Sequence, residues 1–304
     1  MGALLSACIF TGPRKQYAPP AAAAKAETGA TAAILRDVPA GADLLIEIDL
    51  ERLYGNSTIG AIAHRALARP ADELRVPGLV LPRGQAPLEH ARALVMAAYA
   101  VGTADAVTAT YVVTQDEVPG ATSLGDGVVV LAPPAFVDRA RLVMAGASDA
   151  IARDAAFMSL RARAMPAGAP GSTVRATARL GLDARVALAP VLGPDLAPAT
   201  LSLWLDVVDD AAVVAIVDGH DAAGGGGERL QIALERVRIA LAGSTTLLQL
   251  GLAPVVRGAQ LSRRGDVVTL IATIGPHRLG EVASRLSAAN SVAAPQPASY
   301  PPAP

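Results

Sequence analysis

Two apolar, hairpin-like stretches constrain this chain more than anything else in it. Leu201–Val217 reads LSLWLDVVDDAAVVAIV, and Leu94–Val113 reads LVMAAYAVGTADAVTATYVV. Each is a pair of period-two or near-continuous apolar runs around a short polar turn. Asp209-Asp210 turns one, and Gly102-Thr103-Ala104-Asp105 turns the other. Val, Ile, Leu, Thr and aromatic residues dominate, as in strands half or fully buried in a sheet. The same order of elements recurs around both hairpins: strand, helix, hairpin, strand, then a helix opened by proline.

In the first copy, Leu44, Ile46, Ile48 and Leu50 alternate with Glu47, Asp49 and Glu51, which predicts a strand with one face buried. Asn56 or Ser57 is placed to cap a helix carrying Ile59, Ile62 and Leu67. After the Leu94–Val113 hairpin, Val128–Leu131 reads as a strand and Pro134 as the first residue of a helix to Ala145. Ile151–Met165 reads as a further helix, capped by Ser148 or Asp149. The second copy opens on Val174, Ala176, Ala178 and Leu180, alternating with Arg175, Thr177 and Arg179. Its hairpin is followed by an amphipathic helix over Glu228–Ala242, with Leu230, Leu234, Val237 and Leu241 on one stripe. Val267–Ile274 reads as a strand, and Pro276 precedes the last helix, Arg278–Ala288. The apolar stretch Leu247–Val256 is irregular because of Gly251 and Pro254.

The expected fold class is therefore α+β: two similar modules, each a mainly antiparallel sheet with helices packed on one face. The boundaries drawn from sequence are residues 41–165 and 166–290, preceded by an Ala/Pro-rich tether over 9–40 and followed by a Pro/Ala tail over 291–304. Two units of this size point to duplication, not to a solenoid, which stacks several shorter repeats. Chain length and a mean hydropathy of +0.40 exclude a disordered protein. Lys15 and Lys25 are the only lysines, and the net charge of −1 leaves no basic field for nucleic acid. No apolar run reaches the length of a membrane span.

The chain begins MGALLSAC, and Cys8 is its only cysteine. Leu5-Ser6-Ala7-Cys8 resembles the lipobox of bacterial lipoproteins, in which small residues precede a cysteine that receives a diacylglyceryl group. Residues 1–8 are read as a truncated signal segment, since a full one carries a basic region and a longer apolar run. The resemblance implies lipidation at Cys8, export, and membrane attachment through an N-terminal lipid. Ile9, standing where some bacteria use aspartate to retain lipoproteins at the inner membrane, implies the periplasmic face of the outer membrane. A second resemblance lies in Asp154, Phe157 and Leu160, which match a D-x-x-F-x-x-L helix linking successive α+β units in uncharacterised exported bacterial repeat proteins. It implies repeat and export, and adds nothing about chemistry.

Several constellations bear on function. Glu47, Asp49 and Glu51, roughly 6–7 Å apart in succession on one strand face, could hold a hard cation or form an acid/base pair. Solvent-facing alternation gives the same pattern. A third reading sets this acidic row against Arg175 and Arg179 of the second copy's opening strand, as cross-strand ion pairs. Asp218-Gly219-His220-Asp221 clusters three potential ligands in one loop with no second pair to complete a site. Gly224–Gly227 precedes a helix but lacks the GK[ST] ending of a phosphate loop, and reads as flexible linker. His64, His90 and His277 stand singly, and the chain has no GxSxG, HExxH, CxxC or Walker pattern.

These readings converge on a lipid-anchored cell-envelope protein with a non-catalytic binding or structural role and an envelope protein partner. No catalytic residue, metal or cofactor is assigned. One alternative is a carrier or chaperone of an apolar ligand, contacted by Trp204, Leu247, Leu248, Leu250 and Leu252. The other is an envelope hydrolase or metal-dependent enzyme working through the acidic residues.

Overall fold

The computed structural model describes residues 29–68, 88–169, 171–192, 199–207, 211–219 and 225–292. Helix α1 (Ala30–Ile34) leads into β1 (Leu44–Asp49), α2 (Leu50–Tyr54) and α3 (Gly60–Leu67). Strands β2 (Ala93–Tyr99), β3 (Val107–Val113), β4 (Thr122–Gly125) and β5 (Val128–Leu131) follow as a meander. Next come α4 (Pro134–Met144), a 3-10 turn at Ile151–Arg153, and α5 (Ala155–Ala162). The rest of the chain supplies β6 (Val174–Arg179), α6 (Leu182–Leu192), β7 (Thr200–Val207) and β8 (Ala211–Asp218). It then runs through α7 (Gly226–Ala242), α8 (Thr245–Gln249), α9 (Ala253–Gly258), β9 (Gln260–Arg264), β10 (Val267–Ile274) and α10 (Pro276–Val292).

All of these strands join one antiparallel sheet of 10 strands in the order β4-β5-β3-β2-β1-β6-β7-β8-β10-β9. β1 and β6 pair at its centre, with Glu47 opposite Arg175 and Ile46 opposite Ala176. The α+β class holds, as one continuous sheet. Both expected hairpins form, β2 with β3 and β7 with β8. The turn residues Asp209-Asp210 lie outside the described residues.

Helices cover both faces of this sheet, not one as the sequence pattern implied. On one face Leu45, Val95, Tyr111 and Val130 pack with Ile34 of α1, Phe136 and Ala140 of α4, and Phe157 of α5. On the other, Leu94 and Val112 pack with Leu50 at the start of α2. Farther along that second face, Leu230 of α7 packs on Val217 and Val268, and Leu279 of α10 packs on Val207 and Ala211. The reason is visible in β2, where every residue is buried. A strand apolar on both sides needs cover on both sides. Small residues such as Ala93, Ala97 and Ala109 let the covering helices sit close to the sheet.

The N-terminal boundary also moves. Residues read as tether include Ile34, Leu35 and Val38, all at most 1% exposed in the core under α1. Their apolar spacing was diluted by surrounding Ala and Pro. The helix expected over Ile151–Met165 is broken: a 3-10 turn precedes α5, and Asp154, not Ser148 or Asp149, accepts the Phe157 N–H at 2.9 Å to cap it. Leu247–Val256 resolves into α8 and α9, separated at Gly251, whose φ is +74°.

Candidate functional site

The acidic row does not survive as a row. β1 ends at Asp49, so Glu51 belongs to α2, where it pairs with Arg92 at the surface at 3.0 Å. Asp49 is the N-cap of α2 and accepts the Arg52 N–H at 2.8 Å. Burial pushes the Asp49 carboxyl above its ordinary value, against the pull of that N–H.

Glu47 is neither solvent-facing nor free. It is 2% exposed, and its two carboxylate oxygens accept from Nε and an Nη of Arg161, both at 2.7 Å. Arg161 comes from α5 and is itself 5% exposed. A fork-to-fork pair of this kind satisfies both buried charges at once. Arg175 faces Glu47 across the β1–β6 seam, as the third sequence reading anticipated, and donates to Met165 Sδ at 3.4 Å. Arg179 instead reaches Asp154 at 3.2 Å. The sequence could not show that the main partner of Glu47 lies on α5, far along the chain.

A second bidentate pair crosses the same seam. Arg52 donates to Asp206 of β7 at 2.6 and 2.5 Å, and Asp206 also accepts from Thr173 Oγ1 at 3.0 Å. The Asp206 carboxylate holds the Arg52 guanidinium charged more firmly than usual.

The apolar-ligand residues are dispersed. Trp204 is 4% exposed, packed with Ala164, Ala212 and Val214, and donates its Nε1–H to the Gly171 carbonyl at 2.8 Å. Its register neighbours Arg175 and Val214 put it on the Glu47 face of the sheet. Leu247, Leu248 and Leu250 lie in or beside α8, and Leu252 caps α9. α8 packs against α7, which covers the opposite face. Leu248 is exposed there. The structure does not bring Trp204 and these leucines together.

Of the polar loop after β8, His220 and Asp221 lie outside the described residues, as does Cys8. Of the glycine run beside it, Gly224 lies outside the described residues, while Gly226 and Gly227 are buried in the first turn of α7 and not part of a loose linker. A Cβ on Gly227 would stand 2.5 Å from the Gly265 carbonyl oxygen, so the start of α7 sits directly on the β9–β10 turn. His90 bonds Asp116 at 2.9 Å on the surface, His277 lies 3.5 Å from Glu281, and His64 packs edge-on to Tyr54. The Tyr54 hydroxyl donates to the Leu88 carbonyl at 2.7 Å, and burial pushes its pKa up to about 12. Among the described residues no cluster of three His, Cys, Asp or Glu side chains is placed to hold a metal ion.

One feature escaped the sequence reading. A groove of about 640 Å³ opens between α7, α9 and the edge strand β9. Its lining combines the apolar Ile232, Ile239 and Leu261 with Arg236, Arg257 and Arg263, and also includes the carboxylates Glu228 and Glu235. Ile232 is 46% and Ile239 61% exposed, outside the α7 stripe identified from sequence. Arg238 is held by Glu235 and by the Arg257 carbonyl, and Arg263 reaches Gln231 at 3.2 Å. The guanidinium groups of Arg236 and Arg257 make no ion pair or hydrogen bond with the described residues. The signal for this groove was a second apolar row on α7, Ile232 and Ile239 seven residues apart.

No protein-family model matches the chain, and no curated protein is similar to it in sequence. Among solved structures the chain is similar to TP0453 of Treponema in its crystal form I, at 12% identity and a TM-score of 0.39, covering 83% of this chain and 96% of that one. That likeness carries no argument about activity. No helix among the described residues is long and apolar enough to cross a membrane.

Proposed function

We propose that the protein is a lipid-anchored component of the bacterial cell envelope, with a non-catalytic binding role exercised by its folded body. The observation that carries the address is Cys8, the chain's sole cysteine, at the end of a lipobox-like Leu5-Ser6-Ala7-Cys8. The binding role is supported by how the acidic side chains are used. Glu47 is occupied by Arg161 and Asp206 by Arg52, while Asp49 caps a helix. The groove beside β9 instead opens apolar side chains to solvent among four arginines and two glutamates.

We also read the sheet as the product of duplication. Outward from the central pair, β1, β2, β3, β5, β4 on one arm corresponds in sequence order to β6, β7, β8, β10, β9 on the other. An antiparallel β1–β6 pair is what a pseudo-twofold axis through the sheet centre would give.

Intact mass and membrane fractionation of the native protein beside a Cys8→Ala variant test the address. A diacylglyceryl mass at Cys8, with membrane association lost in the variant, is the expected result. An unmodified Cys8 on a protein that does not fractionate with membranes would refute it.

A further inference from the structure

We infer that β9 is a docking edge, and that its occupant is an extended segment of another protein, alternating apolar and acidic residues, which adds as a further strand. β9 ends the sheet and pairs on one side only, with β10. The turn Gly265-Asp266 joins them, with Arg264 opposite Val267. A two-residue turn makes that flanking pair a hydrogen-bonded one, and such pairs alternate along the ladder. Leu261 and Arg263 therefore direct their backbone N–H and C=O groups outward, away from β10. Among the described residues no strand takes them up.

A bare edge is commonly protected by charge alone. This edge differs because the apolar row Ile232 and Ile239 of α7 faces the same groove as Leu261 and Arg263. A strand added to β9 would bring every second side chain against that row, burying apolar surface now open to water. Its remaining requirement is set by charge. The alternate side chains of such a strand point to the opposite face of the sheet, where Arg264, in register with Val267, stands exposed to take their carboxylates. Pairing of β9 with β9 of a second copy would instead gather four arginines, Arg263 and Arg264 from each chain, which works against self-association.

This inference rests on the binding role proposed above and not on the lipid anchor. The test is fluorescence anisotropy of the full chain with a short labelled peptide alternating valine and glutamate, beside its valine–lysine counterpart. The glutamate peptide is expected to bind at least tenfold more tightly, and Ile239→Ser to weaken it severalfold. Arg263→Ala and Arg263→Pro both remove the guanidinium, but only proline removes the outward N–H, so the proline variant should lose at least a further tenfold. A peptide N-methylated at alternate amides gives the same readout against the unmutated protein, should Arg263→Pro fail to fold. Native protein and Cys8→Ala should bind alike, which separates failure of this surface from failure of the address. Equal binding of both peptides overturns the proposal, as does equal loss in the Ala and Pro variants. So does a dimer whose Leu261 and Arg263 amides are protected from exchange. Binding to phosphatidylglycerol vesicles with no peptide binding overturns it as well.

Discussion

Replacing Arg161 by methionine should destabilise the protein far more than replacing Arg161 and Glu47 together. Both side chains are almost fully buried, at 6% and 3% exposure, and they meet through two hydrogen bonds of 2.7 Å. Methionine fills much of the arginine's volume but leaves the Glu47 carboxylate without its fork, under helix α5. Removing one partner of a buried pair costs about 3–5 kcal/mol, because an uncompensated charge stays behind. Replacing both by apolar residues of similar size, as in Glu47→Leu with Arg161→Met, is near neutral by the same reasoning. With a urea m-value of about 3 kcal/mol/M, the single substitution should lower the unfolding midpoint by about 1–2 M. Trp204, the only tryptophan, is buried beside Ala164 just beyond α5 and reports the transition by fluorescence. A single-variant loss below about 1 kcal/mol would mean that Arg175, opposite on β6, carries the charge instead. A double variant as unstable as the single one would refute the argument outright.

Three further outcomes follow from the same geometry. Gly227→Ala places a Cβ 2.5 Å from backbone at Gly265 and should cost about 1–3 kcal/mol in thermal unfolding; Gly280→Ala, in α10 with nothing within 4 Å, should gain about 1 kcal/mol. Asp206→Ala removes the acceptor of Arg52 and Thr173 and should cost about 2 kcal/mol, whereas Glu51→Ala, which breaks an exposed pair, should cost under about 0.5 kcal/mol in the same denaturation assay. Asp154 is held below its usual value of 3.8 by the Phe157 N–H, helped by Arg179. Its folded value is depressed, so its stabilisation is complete above the unfolded value and fades as pH falls through the folded one. Asp154→Ala should therefore cost about 1 kcal/mol at neutral pH, and the gap to the native protein should close on acidification below about pH 4.

The elements that were legible in sequence are those whose periodicity is set by their own residues. Val128–Leu131 and Pro134 mark β5 and the start of α4 where the structure has them, because four β-branched or aliphatic residues and a fixed proline φ leave little choice. β4 (TSLG) and β9 (QLSRR) escaped because edge strands bury little and carry polar side chains. Cover on both faces is written into β2, whose ALVMAAY has no polar position, although half-buried and fully buried strands share so much of their pattern that helices are expected on one face only. The groove was missed for a related reason. The strongest stripe on α7 draws the eye to Leu230, and the row at Ile232 and Ile239 has meaning only once β9 lies beside it.

The polar residues at the seam explain how a sheet built from such similar strands keeps one register. In β1 and β6 the apolar residues are small or aliphatic on both sides, so a slip by one residue would exchange faces without exposing much that is apolar. It would, however, move Glu47 to the face away from Arg161 and strand a buried carboxylate there. The Arg52–Asp206 pair fixes the neighbouring relation, tying the helix that follows β1 to β7 across β6. Ser202, fully buried on β7, accepts the Ala164 N–H at 3.0 Å and holds the exit of α5 against the same face. The double variant of Glu47 and Arg161 thus separates two roles: if stability is kept while amide exchange along β1 and β6 loses its protection, the pair specifies the register of the seam more than it stabilises it.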